Sequence, residues 1–221
     1  MASRYIIRTL RKSDLAAVRD MVIKTFVYHE PAGRHLRFTE PEFYKLYDRF
    51  APYINFNTSA VAEVVHEDSK ARHLGVVSCH ISVPLSAPVD LEDLSEPRLL
   101  LGVFDELHKP FEDALKKRMI SHDRVLHSLI GATKAEYHGK GVYKKVLAHF
   151  SEQVERDARW DAAVAECTSP ITRHLKITQL GWKEECFIRY EDYEVDGKRP
   201  FAGLKGGASL VWKEYNRGAS R

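Results

Sequence analysis

The 221-residue chain has only three cysteines, Cys79, Cys167 and Cys186, widely separated and without a CxxC pair. That excludes a disulfide-stapled scaffold and a zinc ribbon, and fits a reducing compartment. No run of 18 apolar residues occurs, so no membrane-spanning helix is expected. Met1 to Leu10 lacks the apolar stretch and small-residue cleavage site of a secretory signal, and Arg11-Lys12 follows directly. The expectation is a soluble, cytoplasmic protein. Blocks of one charge sign are also missing. Thirty-four basic residues are interleaved with 31 acidic ones, which argues against a nucleic-acid-binding arm. Internal repeats and low-complexity segments are absent too.

What is present is ordinary globular composition, with 44% hydrophobic and 29% charged residues. At this length the expectation is one domain spanning 1–221. Tyr5 to Leu10 reads as a strand, and Ser13 or Asp14 as the cap of a helix ending near Tyr28, before Pro31. Thr39 and Pro41 start a second helix. Ser59 to His66 and His73 to Val83 read as a hairpin about Glu67-Asp68-Ser69-Lys70. Pro84 to Pro97 reads as a surface loop. Leu99 to Met119 has helical spacing interrupted by Pro110, which predicts a kink or two shorter helices. Strands are predicted at Val125 to Thr133, Ala162 to Cys167, Phe187 to Tyr193 and Ser209 to Tyr215. Helices are predicted at Gly141 to Arg159 and Ile171 to Gln179. The fold class is mixed α/β.

Chemistry concentrates between Val125 and Phe150, where an apolar strand runs through a polar loop, Gly139-Lys140-Gly141, into a helix. Glycines let several backbone N–H groups point at one anion, and a helix N-terminus behind them suits a pyrophosphate. The loop is not a P-loop, because Gly141 rather than Ser or Thr follows Lys140. Nor is it a dinucleotide fingerprint, because no third glycine follows. On spacing alone it is equally a plain strand-to-helix connection.

The run Ala135-Glu136-Tyr137-His138-Gly139-Lys140-Gly141-Val142 resembles the acetyl-CoA signature of the GNAT superfamily of N-acetyltransferases. The opening Tyr5-Ile6-Ile7-Arg8-Thr9-Leu10 with Ser13-Asp14, and the later Phe26-Val27-Tyr28-His29-Glu30-Pro31, resemble the insect-type arylalkylamine branch. So does Cys167-Thr168-Ser169-Pro170-Ile171-Thr172 followed by Leu180-Gly181-Trp182. These motifs cover residues 5 to about 193 in the family's order. The resemblance implies a GNAT fold: a central twisted, mostly antiparallel sheet with one splayed strand pair, flanked by helices. It also implies acetyl-CoA as co-substrate, no metal, a small primary amine as acceptor (an arylalkylamine, with a polyamine second), direct attack in a ternary complex, and a monomer or weak dimer. Acetylation of a protein or peptide amine, and a degenerate acyl-CoA sensor, are the alternatives.

Carried over residue by residue, the resemblance assigns backbone contacts with the co-substrate to Ile130, Gly131, Ala132, Thr133, His138, Gly139, Lys140, Gly141, Val142 and Tyr143. It makes Glu30 the base, acting through water, and places Thr168 and Thr172 beside the acetyl and amine groups. Each of these also has a plain reading: a solvated loop carboxylate for Glu30, and backbone-bonding hydroxyls for the threonines. His29 and His35 are secondary candidates for handling the proton, and His29, Tyr44 and Tyr47 for binding the amine. Phe38, Phe43, Tyr44, Tyr47, Phe50, Tyr53 and Phe56 are either core or, in part, an acceptor pocket. Two of them reaching a pocket would favour an aromatic amine. Cys167 reads as a buried strand cysteine rather than a nucleophile. Three departures stand out: His138 opens the loop where Arg or Gln is usual, Tyr143 replaces a small residue, and Ile177 stands where many members carry a tyrosine acid.

Overall fold

A computed structural model describes residues 4–65, 75–91 and 97–215. Seven strands form one sheet in the order β1-β2-β3-β4-β5-β7-β6. They are β1 (Arg4–Thr9), β2 (Ala60–Val65), β3 (Val76–Pro84), β4 (Val125–Thr133), β5 (Ala162–Cys167), β6 (Lys183–Arg189) and β7 (Gly207–Glu214). Every neighbouring pair is antiparallel except β4 and β5. The helices are α1 (Leu15–Tyr28), α2 (Pro31–His35), α3 (Glu40–Phe50), α4 (Pro97–Arg118), α5 (Val142–Arg156) and α6 (Pro170–His174), the last continued by a π-helical turn, Leu175–Gln179. None of the described helices is long and apolar enough to cross a membrane.

Alternation along the strands explains the two layers. On β4, Val125 joins the larger core with α1, α3 and α4, while its neighbour Leu126 joins the core under α5 with Phe150, Val154 and Trp182. The parallel β4–β5 ladder is short: Val125 pairs with Ala162 and His127 with Val164, and there it stops. Beyond it, β4 pairs only with β3 and β5 only with β7. A wedge opens between two interior strands, leaving backbone donors and acceptors along both edges. On β4, Ser128 faces Ser82 and Ile130 faces Ile81, so Leu129 bulges out of the ladder at the wedge.

Several sequence expectations are corrected. Asp14 stands at the N-cap position of α1, but its carboxylate bonds no amide of that helix; it accepts from the Arg11 amide and from Arg8, both at 2.7 Å. The residues after Glu30 form α2 instead of a loop, with Pro31 at the first helical position, which a proline tolerates because that N–H has no partner in the helix anyway. Helix α4 runs unbroken through Pro110. Buried Val103 and Leu107 before the proline, and Phe111 and Leu115 after it, hold both halves on the sheet and outweigh one missing hydrogen bond. Strand β6 lies four residues earlier than expected, and Tyr190–Asp192 is a short 3-10 turn. The tip of the β2–β3 hairpin (66–74) and residues 92–96 of the expected loop lie outside the described residues.

Candidate active site

Helix α1 ends at Tyr28, and Glu30 takes an extended conformation (φ −76°, ψ 129°) that makes it the N-cap of α2. Its Oε2 accepts the Gly33 amide at 2.6 Å. Its Oε1 is buried and makes no hydrogen bond of ordinary geometry among the described residues. Burial pushes the carboxyl above its usual range; the amides of Gly33 and Ala32 and the Thr168 hydroxyl only partly offset that. A carboxylate in that state takes up a proton more readily than an exposed one.

Glu30 stands on the wall of a cavity of about 830 Å³ that reaches into the β4–β5 wedge. His29, His138, Thr168, Thr172, Ile130, Gly131 and Tyr143 border the same space. The imidazoles of His29 and His138 meet edge-on, 5.7 Å apart, and join the end of α1 to the β4–α5 loop. His138 Nε2 donates to the Thr133 carbonyl at 2.8 Å. Gly139 and Gly141 have φ of 72° and 70°, a left-handed turn that favours glycine. Gly141 caps α5 with no side-chain oxygen, so the first amides of the helix stay available to an anion. Gly139, Lys140 and Gly141 of this turn, Val142 at the start of α5, and Ala132 and Thr133 at the end of β4 lie outside the cavity wall.

Tyr143 does not close the wedge. Its ring turns inward onto the sheet over Gly131, and its hydroxyl lies 3.2 Å from His80 Nδ1. A Cβ at position 131 would collide with that phenol, so glycine is required there by space. The cavity still borders both residues.

Three expected residues lie elsewhere. His35 donates from Nε2 to the Pro200 carbonyl at 3.1 Å and stacks on Phe201. Tyr44 lies under the Arg19 guanidinium, and Tyr47 is buried against Phe50. Neither tyrosine borders the cavity; Phe38, Phe43 and Phe50 do, with Phe26 and Phe104. Phe43 stacks on Phe26 of α1 at 5.1 Å and both reach the cavity, whereas Tyr44 turns to Arg19 of the same helix. Cys167 is buried, and burial pushes its thiol up to about 12, which leaves it a poor nucleophile.

The sequence reading missed two polar groups on this cavity. Glu166, with a side chain only 4% exposed, accepts from His108 Nε2 and, at 2.6 Å, from His127 Nε2. Burial alone would raise this carboxyl, but the two imidazoles hold it well below the usual range; burial likewise opposes His108, whose pKa Glu166 nonetheless raises. On the other face, Lys176 is 1% exposed, reaching Ser128 Oγ at 2.6 Å. The π-helical turn adds a residue to the helical phase there and points Lys176, rather than Ile177, into the wedge. The available signal was a set of polar residues in otherwise apolar strands: His80 between Cys79 and Ile81, and His127-Ser128 between Leu126 and Leu129.

No family model and no curated protein matches the chain by sequence. Its structure does match solved ones. Arylalkylamine N-acetyltransferase 2 from Aedes aegypti is similar at a TM-score of 0.76 and 15% identity, over 96% of this chain and 100% of that one. The Drosophila melanogaster polyamine N-acetyltransferase, which forms N-acetylagmatine, gives 0.60 and 14% over 96% and 100%. A putative acetyltransferase from Salmonella typhimurium, solved with acetyl-CoA, gives 0.54 and 13% over 98% and 96%. Mostly antiparallel, splayed between β4 and β5 and matched along nearly its whole length, the chain has the GNAT fold and resembles insect arylalkylamine N-acetyltransferases in its architecture.

Proposed function

We propose that the protein is an acetyl-CoA-dependent N-acetyltransferase that acylates a small primary amine by direct attack in a ternary complex. The observation that carries this reading is Glu30: a buried carboxylate, anchored through Oε2 on the Gly33 amide, on a cavity that opens into the strand wedge. An alkylamine has a pKa near 10.4 and reaches the site as ammonium, so a proton must leave before attack. Glu30 takes it, through a water. Thr168 and Thr172 supply hydroxyls on the same wall, and His29 borders the amine's path. Edge amides of β4 about the Leu129 bulge are the donors available to a thioester carbonyl, and the uncapped start of α5 is the natural seat for the diphosphate.

The phenylalanine wall favours an arylalkylamine over a polyamine, since Phe38, Phe43 and Phe50 offer ring faces and edges to an aromatic acceptor. The likeness to the mosquito enzyme supports the same class, and the likeness to the fly polyamine enzyme keeps a polyamine as second acceptor. Thiol release from acetyl-CoA, measured with phenylethylamine, indolethylamine, agmatine and spermidine, tests the reading. Turnover is expected with at least one aromatic amine, and Glu30→Gln is expected to lower kcat about 10²–10⁴-fold. Acetyl-CoA binding without turnover on any amine would instead identify a sensor. An unchanged rate in Glu30→Gln from pH 6 to 9 would remove Glu30 from the mechanism.

A further inference from the structure

Four side chains from four elements form one line of hydrogen bonds on the α5 side of the wedge. Lys176 Nζ donates to Ser128 Oγ at 2.6 Å, Ser128 Oγ lies 2.9 Å from His80 Nε2, and His80 Nδ1 lies 3.2 Å from the Tyr143 hydroxyl. Lys176, Ser128 and His80 are each 3% exposed or less. Donor counting orients the line. An ammonium only donates, so Ser128 accepts from Lys176 and gives its own proton to His80 Nε2. Burial first, then the charge of Lys176, holds His80 well below its usual pKa and therefore neutral. Its hydrogen then sits on Nδ1 and is donated to the Tyr143 oxygen. Each of the three inner groups is satisfied, and Lys176 keeps two further N–H bonds to give.

The location is specific. Ser128 is the first β4 residue past the last β4–β5 pair, and Lys176, Ser128, His80 and Tyr143 all border the cavity. The indole of Trp182, 4.0 Å from Nζ, and the Phe150 ring, at 5.7 Å, close the lysine off on the side of α5. The groups facing it are few. Cys167 on β5 stays a thiol, Glu166 on the far face is taken up by His108 and His127, His80 is neutral, and Tyr143 is pushed up by burial.

We propose that Lys176 gives a proton to the departing thiolate of the acyl transfer, with Ser128 holding its Nζ and with His80 and Tyr143 as positioning residues behind Ser128. The proposal rests on the acyltransferase reading above. As the amine nitrogen bonds to the carbonyl carbon, the C–S bond breaks and sulfur keeps its electron pair. Sulfur then takes one proton from Nζ. Nitrogen loses two protons in all: Glu30 passes the first to solvent before attack and takes the second as the C–N bond forms, and solvent then carries that second proton from Glu30 back to Lys176 after the products leave. The net products are an amide, a free thiol and one proton released to solvent. Burial pulls Lys176 down to about 8, while the Glu166 carboxylate acts in the opposite sense. An alkyl thiol ionises near 8.5, so donor and acceptor are closely matched.

The test is single-turnover thiol release at saturating acetyl-CoA and amine, from pH 6 to 10, for the wild type, Lys176→Met and Ser128→Ala. Wild-type release should fall about tenfold per unit above about pH 8. Lys176→Met should be roughly 10²-fold slower at pH 7.5 and lose that alkaline fall, with its calorimetric affinity for acetyl-CoA within threefold of wild type. Ser128→Ala removes the acceptor that favours the ammonium, so its alkaline fall should move to lower pH. An alkaline fall that persists in Lys176→Met, or stays in place in Ser128→Ala, overturns the proposal; Ser128→Ala decides alone if Lys176→Met does not fold. A wild type inactive on every amine defeats the acyltransferase reading itself, whereas an active wild type with an unmoved fall defeats only the role of Lys176.

Discussion

His127 and Ser128 are neighbours in the chain yet belong to different buried networks, because successive residues of β4 point to opposite faces of the sheet. On the α4 face, His127 joins His108 on the carboxylate of Glu166. On the α5 face, Ser128 accepts from the ammonium of Lys176 and donates in turn to His80. Glu166 is surrounded by opposite charge and hydrogen-bond donors, so its ionised form is held far below the usual range despite burial. Lys176 has a hydroxyl and an indole face but, among the described residues, no carboxylate bonded to it, so burial wins and its ammonium is weakened. What decides the fate of a buried charge is therefore the company it keeps rather than its depth. The first arrangement favours rigidity; the second leaves a proton available near neutral pH.

The largest expected effect that would sharpen this contrast is the pH dependence of stability. Lys176 has a folded-state pKa of about 8 against an ordinary value of 10.5, so the fold carries a cost below pH 8 that is relieved as pH rises through that interval. Relative to Lys176→Met, the wild type should gain on the order of 3 kcal/mol between pH 8 and 10.5, read from paired denaturant titrations. A flat difference would mean that the lysine is not desolvated. The Glu166 network should behave in the opposite way. Its depressed carboxyl contributes above the usual 4.5 and loses that contribution as pH falls through the folded value; the raised His108 contributes below the usual 6.5 and loses it as pH rises. Glu166→Gln should accordingly cost about 2–3 kcal/mol, most between pH 4.5 and 6.5, with the gap narrowing on both sides.

Smaller effects probe where the α5-side network meets the wedge. Gly131→Ala should force the Tyr143 ring off the sheet, lowering stability by about 1–3 kcal/mol and weakening acetyl-CoA binding in calorimetry. Combined with Tyr143→Ala, it should cost less than the two single changes together, since the clash has gone. Thr172→Val should be smallest. Thr172 borders the cavity, and no side-chain hydrogen bond fixes it among the described residues, so a change in KM for the amine of less than about tenfold is expected, with melting unchanged. Comparable losses from Thr172→Val and Glu30→Gln would show that the hydroxyl shares in the chemistry.

Much of the architecture was legible from residue order. The apolar run in Val125 to Thr133 and the 3.6 period of Val142, Val146, Phe150 and Val154 in Gly141 to Arg159 identified β4 and α5, and Glu30-Pro31 marked a helix boundary whatever followed it. Strand β6 was misplaced because it is a polar edge strand: Lys183, Glu184 and Glu185 lack an apolar rhythm, and its pairing with β7 shifts register between Glu184 and Cys186. Helix α2 was missed because in five residues Pro31 and Gly33 look like breakers. In the site, Glu30, Thr168, Thr172, His29 and His138 came from local motifs and do meet on one cavity. Tyr44 and Tyr47 were chosen for ring chemistry, but the rotation of α3 brings Phe43 and Phe50 to the wall instead.

By itself the sequence determined every element but α2 and the place of β6, the turn at Gly139 and Gly141, and a carboxylate at the end of α1, because each depends on residues within a few positions of one another. Only the tertiary structure decided that β4 and β5 part after His127, that Gly131 makes room for Tyr143, and that His80, Ser128 and Lys176 meet. The His80–Ser128 and Ser128–Lys176 contacts each join residues 48 apart in the chain, and the β4–β5 ladder joins Val125 to Ala162. Desolvation, which sets how readily Glu30 and Lys176 exchange a proton, exists only once those contacts have closed.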